Sequence, residues 1–280
     1  MATETIAANL GHQRLAGAAN GVALTTTSAF TGLVKGTEYV DLIPRNFATA
    51  AVMRYIECPY LVVLLSDRAK SLDIAPTDFT TVAQDGSTDT SVDLSSLTAG
   101  RYLYVGSATR FRGANLDMDG TNSTGSTALT TKYWDGSTWA SLSVTDGTSS
   151  SVSLDQDGSV TWTMPTGSLW HSDNLVTIQS KVGLSIAGPS GSFKYRDTQM
   201  YWTRWEWSHN LDATVTIDAM LGINESTAYA ETTEGLGMGM RVKHGFGGIG
   251  GFEMLTNAGT GNCLVVCSSM NGYFSTGEVT

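Results

Sequence analysis

Short runs of alternating apolar and polar residues, separated by turn residues, fill most of the chain. Within residues 200–208, Met200 and Trp202 share one face of an extended strand. Trp205 and Trp207 share the opposite face. Turn signals recur about every ten residues, and almost no segment has a helical period. The pattern predicts an all-β protein built from antiparallel strands.

The dipeptide Asp135-Gly136 carries the strongest local signal. It lies between two strand-like segments, 129–134 and 138–144. Asp-Gly favours the tight turns that join antiparallel strands, because these residues tolerate a positive φ. We therefore predict a β-hairpin in which Trp134 and Trp139 flank the turn.

Further strands follow from the same alternation, and Pro59 separates two of them because proline cannot donate a ladder hydrogen bond. Residues 175–179 fit either a strand or a short helix. The other predicted strands cover residues 22–27, 37–43, 53–57, 60–65, 101–105, 111–118, 159–164, 211–221 and 263–267.

Changes in composition and in the strand pattern divide the chain into four regions. Residues 1–20 are small and polar and predict an N-terminal arm, and residues 21–95 predict a small β domain. Residues 96–224 predict an antiparallel β-sandwich of jelly-roll type. Residues 225–280 are rich in glycine between 235 and 251, and a segment with so little side-chain packing predicts an extended C-terminal arm or a flat strand.

All seven tryptophans lie between Trp134 and Trp207. Each brings a large apolar surface to strands that are otherwise rich in serine and threonine, so the cluster indicates a core and not an active site. We assign five to the core. Trp139 and Trp170 lie beside loops with serine, histidine and aspartate, and we expect them to be exposed and able to stack on a glycan.

The net charge of −10, with 16 Lys and Arg residues scattered singly, disfavours nucleic acid or an anionic membrane as a partner. We find no secretory signal and no apolar run of the roughly 18 residues that a membrane span needs. Cys263 and Cys267 have a spacing open to metal binding, but with Cys58 they fit buried free thiols better, which indicates assembly in a reducing compartment.

No catalytic constellation emerges from the sequence, and we predict a protein that is not an enzyme and has no metal or cofactor. The four histidines lie in unrelated contexts. Asp117 and Asp119 have the spacing of a carboxylate pair, and residues 155–158 faintly resemble a calcium loop. For the pair, aspartate before glycine fits a turn better, and no acidic residue closes the loop at the spacing that calcium requires.

Five segments together resemble a jelly-roll domain that recurs in virion proteins of tailed bacteriophages. The resemblance covers about residues 100–222 and rests on FRG at 111–113, KYWDGSTW at 132–139, TDGT at 145–148, QDGSVTW at 156–162 and YWTR at 201–204. It implies a structural protein of the virion, assembled in the host cytoplasm.

The role that we favour from this resemblance is a capsid decoration or cement protein, which binds the major capsid protein or other virion proteins and forms a homo-oligomer, with a trimer favoured. The alternative is a tail, neck or baseplate protein that binds a host-surface glycan. As assembly contacts we assign residues of the two predicted arms, namely Arg14, Arg241, Lys243, Phe246 and Phe252.

Overall fold

The computed structural model describes residues 21–48, 51–66, 76–85, 89–184, 186, 188–234 and 236–269, and the backbone of residues 13–16. The strands of the N-terminal half are β1 (Gln13–Ala16), β2 (Val22–Leu24), β3 (Ala29–Gly32), β4 (Tyr39–Arg45), β5 (Val52–Pro59), β6 (Val62–Ser66), β7 (Thr77–Asp78), β8 (Val92–Asp93), β9 (Tyr102–Ser107), β10 (Phe111–Gly120) and β11 (Leu129–Trp134).

The later strands are β12 (Trp139–Ser141), β13 (Val144–Asp146), β14 (Gly158–Trp162), β15 (Ser172–Asp173), β16 (Met200–Trp207), β17 (Thr216–Asn224), β18 (Ala230–Thr233), β19 (Met238–Arg241), β20 (Ile249–Thr256) and β21 (Gly261–Ser268). Helix α1 (Leu175–Lys181) and two 3-10 turns, Val82–Gln84 and Gly167–Leu169, accompany them. Within the described ranges, no helix has the length and hydropathy that a membrane crossing requires.

The chain forms two compact units. Unit 1 contains residues 1–60, 84–87 and 226–280, and unit 2 contains residues 61–83 and 88–225. The pairings between their strands are antiparallel, and the predicted all-β class is confirmed.

Unit 1 is built from two sheets. In sheet A, β1 and β2 both pair with β21, which pairs with β4, and β4 pairs with β19. Sheet B has the order β18-β5-β20-β3. Both sheets contribute to one buried core, for example through Leu42 and Val265 from sheet A and Met53 and Phe252 from sheet B. Unit 1 is therefore a β-sandwich whose strands come from the N-terminal and C-terminal parts of the sequence.

Unit 2 is a second β-sandwich. Sheet C has the order β12-β11-β16-β9-β6-β7, with β15 also paired to β16, and sheet D has the order β13-β14-β10-β17-β8. Trp205 from sheet C and Trp162 from sheet D meet in the shared core, where their ring centroids are 6.2 Å apart.

The alternation predicted for β16 is confirmed. Trp205 and Trp207 face the core shared with sheet D. Trp202 faces the other side of sheet C and is nevertheless fully buried. Its indole Nε1 donates to the carbonyl oxygen of Asp173, just before α1, at 3.1 Å. Sheet C is therefore covered on both faces around this strand.

The hairpin predicted at Asp135-Gly136 is also confirmed. β11 pairs with β12, Trp134 lies opposite Trp139, and their ring centroids are 5.7 Å apart. The carboxylate of Asp135 accepts hydrogen bonds from the backbone N–H groups of Ser137 and Thr138, which fixes the turn.

The contacts divide the chain differently from the four predicted regions. β6 pairs with β9 and so belongs to unit 2, although it lies before the predicted boundary at residue 95. Of the two alternatives for the glycine-rich region, an extended arm or a flat strand, the described residues 236–269 form strands, and β20 lies between β5 and β3 in sheet B. A β-carbon at Gly251 would collide with the carbonyl oxygen of Thr31 on β3. Glycine in this strand therefore permits close packing between strands and does not mark a free arm.

The predicted N-terminal arm falls largely on residues 1–12 and 17–20, which lie outside the described residues. Residues 13–16 form β1 and pair with β21 of the same chain.

Candidate functional site

The structure separates the residues that were predicted as assembly contacts. Arg241 and Lys243 are exposed, and Phe246 is half-buried. Phe252 has no exposed surface, and its assignment as a contact is wrong because its ring packs in the core of unit 1. Arg14 lies in β1, of which the structure describes only the backbone.

Strand β19 ends sheet A and leaves one backbone edge open. Val242 donates its N–H to the carbonyl of Glu38 at 3.0 Å, and the register with β4 is unbroken back to Met238. Bonded and non-bonded pairs alternate along an antiparallel ladder. The N–H and C=O groups of Gly239 and Arg241 therefore point away from β4, towards a side where the described part of the chain supplies no further strand.

Apolar and basic side chains surround this open edge. Leu236, in the turn between β18 and β19, is 64% exposed, and Tyr39, opposite Arg241 on β4, is 37% exposed. A β-carbon at Gly239 would collide with the hydroxyl of Tyr39, so this glycine lets the tyrosine lie across β19. We call Tyr39, Leu236, Gly239, Arg241 and Lys243 the β19 edge surface.

The β19 edge surface has the chemistry of a protein contact. A strand edge with unpaired backbone groups is a template for a further strand. Exposed Leu236 offers apolar surface beside that edge, and Arg241 and Lys243 add positive charge to a chain whose net charge is −10. These features together suit an extended segment that carries acidic residues.

Trp139 is half-buried, so it is partly exposed as predicted. Its ring centroid lies 5.7 Å from that of Trp134 and 5.8 Å from that of Tyr104. The guanidinium carbon of Arg204 lies 5.3 Å from the Trp139 ring and 4.1 Å from the ring of Tyr102. The exposed part of Trp139 thus belongs to a packed cluster on the outer face of sheet C.

Trp170 is only 3% exposed, so the expectation that it is exposed is wrong. The 3-10 turn Gly167–Leu169 leaves Leu169 half exposed and directs the next residue inward. The Trp170 ring packs at 5.3 Å from Phe111 and 5.9 Å from Tyr201. Six of the seven tryptophans are therefore buried, one more than predicted.

Several aspartates of the described chain accept hydrogen bonds from backbone N–H groups in turns. The Asp155 carboxylate accepts hydrogen bonds from the backbone N–H groups of residues 150–152, led by Ser150, and these hold its pKa well below the usual range. Burial raises the pKa of Asp117, and nearby Asp157 adds to the effect. Asp119 instead accepts a hydrogen bond from the Thr216 hydroxyl at 3.1 Å.

Cys58, Cys263 and Cys267 are buried thiols outside any disulfide, as predicted. Burial raises the pKa of the Cys263 thiol to about 12. Among the residues with a described placement, no group of three or more His, Cys, Asp or Glu side chains has the arrangement of a metal site.

Sequence reasoning found Arg241 and Lys243 but missed Leu236 and Tyr39. The available signal was glycine at alternate positions around 235–239, beside a basic pair. Alternating glycines indicate an edge strand only when the neighbouring strand, β4, is known. The exposure of Leu236 and Tyr39 does not follow from the local sequence.

Comparison of the chain with protein-family models, curated proteins and solved structures gave no match.

Proposed function

We propose that this protein is a structural component of a tailed-phage particle, a capsid decoration or cement protein that joins neighbouring subunits through the β19 edge surface. The observation that carries the proposal is the open backbone edge at Gly239 and Arg241 beside the exposed side chain of Leu236. The resemblance of residues 100–222 to virion jelly-roll domains supports the particle role, and the jelly-roll topology of that region is part of the proposal.

Strand addition explains how a small surface holds a neighbouring subunit. Main-chain hydrogen bonds at Gly239 and Arg241 fix the register of the added strand, and burial of Leu236 contributes hydrophobic free energy to the association. Arg241 and Lys243 favour an acidic partner segment, from the major capsid protein, another virion protein or a second copy of this acidic chain. A homo-oligomer, with a trimer favoured by the resemblance, fits the last case.

The first test is the location and copy number of the chain in purified particles, measured by quantitative mass spectrometry and electron microscopy. A copy number comparable with that of the major capsid protein supports a decoration role. A copy number typical of a tail or neck supports the second candidate, a glycan-binding tail or baseplate protein, which is favoured by a surface cavity of unit 2 lined by Arg110, Tyr201 and Glu225. Absence of the chain from particles contradicts both.

The second test blocks the edge without disturbing the fold. In Arg241→Pro the lost N–H is one that points away from β4, so the β4 ladder is retained, and proline is tolerated at such edge positions. We expect Arg241→Pro to lose binding to particles assembled without the chain. Arg241→Gln keeps the N–H and removes only the charge, so it should bind more weakly than the wild type but better than the proline variant. Full binding by Arg241→Pro would contradict strand addition at this edge.

A further inference from the structure

Unit 2 contains a cavity of about 500 Å³ that opens on its surface. Residues from four separate parts of the chain line it: the turn before β10, the 3-10 turn before Trp170, strand β16 and the residue after β17. The lining side chains include Thr109, Arg110, Ser168, Trp170, Tyr201 and Glu225. The volume falls in the range of small-molecule sites, which is roughly 300 to 1,000 Å³.

An ion pair is fixed in the cavity wall. Arg110 Nη2 lies 2.9 Å from Glu225 Oε2, and Arg110 Nη1 donates to the carbonyl oxygen of Gly167 at 3.0 Å. The two side chains remain 31% and 40% exposed. A guanidinium carries five N–H donors and a carboxylate about four acceptor sites, so the pair offers a ligand both hydrogen-bond donors and acceptors. Its charges compensate each other, and the wall carries no excess of either sign from this pair.

The partly exposed ring of Tyr201 forms another part of the wall and packs on the buried ring of Trp170. Trp170 and Tyr201 pack edge to face, with centroids 5.9 Å apart and an interplanar angle of 84°. The Trp170 indole Nε1 is buried and has no hydrogen-bond partner among the described residues. A buried donor left without a partner costs about 1 to 3 kcal/mol. This nitrogen has almost no solvent-accessible surface, so Tyr201 is the ring that a ligand in the cavity contacts.

We propose that this cavity binds an uncharged mono- or disaccharide. Sugar hydroxyls both donate and accept hydrogen bonds, which matches the Arg110–Glu225 pair and the hydroxyls of Thr109 and Ser168. The apolar face of a pyranose ring suits the partly exposed ring of Tyr201. An anionic sugar is disfavoured because Glu225 repels it and already occupies the guanidinium of Arg110. The site is independent of the β19 edge surface, and it supplies the ligand class of the second candidate function, on which it rests.

The test uses the full chain and a defined set of sugars. Saturation-transfer NMR and titration calorimetry are run with glucose, galactose, N-acetylglucosamine, cellobiose, lactose and chitobiose, and with glucuronic acid as the anionic probe. We expect at least one neutral sugar to bind. Arg110→Gln and Tyr201→Leu should each weaken that binding about tenfold, the loss expected when a hydrogen bond to a charged group or a packed aromatic ring is removed. Tyr201→Leu retains apolar volume and removes the ring.

Two further variants make the result specific. Arg101→Gln, at the opposite end of β9 from the cavity residues, is the matched control and should keep the wild-type affinity. Glu225→Gln should keep a neutral sugar and newly bind glucuronic acid, because it leaves the Arg110 charge without its counter-ion. A gain of binding cannot come from loss of folding. The proposal is overturned if no neutral sugar binds the wild type, if glucuronic acid alone binds it, or if the Arg110 and Tyr201 variants bind as well as the control.

Discussion

Replacement of Phe252 by alanine distinguishes the core role of this residue from a surface contact. Phe252 has no exposed surface and packs edge to face against Tyr55, with centroids 6.3 Å apart. Removing a fully buried phenylalanine ring costs about 3 to 5 kcal/mol, which combines lost transfer free energy with the cavity left behind. We expect Phe252→Ala to lower the free energy of unfolding of unit 1 by this amount.

The chain supplies a reporter for each unit. The three cysteines lie in unit 1, where they are buried, and the seven tryptophans lie in unit 2. Thiol labelling with an aromatic disulfide therefore follows the opening of unit 1, and tryptophan fluorescence follows unit 2. A cost of about 3 to 5 kcal/mol raises the population of the open state, and with it the labelling rate, roughly 100- to 4,000-fold.

The matched control is Phe246→Ala, since Phe246 is half-buried in the same unit and should accelerate labelling far less. An unfolding free energy for Phe252→Ala within about 1 kcal/mol of the wild type would refute the core role, because surface substitutions usually fall in that range. A loss of particle binding by Phe252→Ala with unchanged stability would restore the original assignment as an assembly contact.

Three further predictions concern unit 2 and are measured by urea unfolding with tryptophan fluorescence. Gly106→Ala places a β-carbon 2.6 Å from the Trp202 ring and should cost about 1 to 3 kcal/mol, whereas Gly125→Ala, with open space around it, should not. Burial raises the pKa of Tyr104 to about 12. The contribution of Tyr104 to the free energy of unfolding is therefore constant below about pH 10 and falls by about 2 to 3 kcal/mol towards pH 12. Tyr104→Phe should abolish that fall, and an unchanged pH profile in the variant would contradict the prediction. The pKa of Asp155 is lowered by backbone hydrogen bonds, first that from Ser150, so its contribution to the free energy of unfolding is present above about pH 4 and is lost as the pH falls. Asp155→Ala should lower the stability at neutral pH and make the loss of stability in acid less steep. An equally steep loss in the variant would refute this.

Local signals were reliable wherever the determining interactions are close in the sequence. The Asp135-Gly136 turn and the two faces of β16 follow from turn chemistry and from the two-residue period of a strand. The buried state of most tryptophans follows from their apolar area in strands that have few other large side chains. The sequence predicted almost nothing of the cavity in unit 2, because its lining residues come from four separate segments.

The sequence by itself determined the all-β class, the positions of many strands and the inward faces of those strands, because each depends on neighbouring residues. Only the tertiary structure decided which strands pair. β20 inserts between β5 and β3, and β21 pairs with β4 and both N-terminal strands, across about 200 residues of intervening chain. This long-range pairing buries Phe252, turns a glycine-rich segment into sheet and leaves β19 at an open edge. The partner of a strand is set by the packing of whole sheets, and the alternation within one strand carries no record of it.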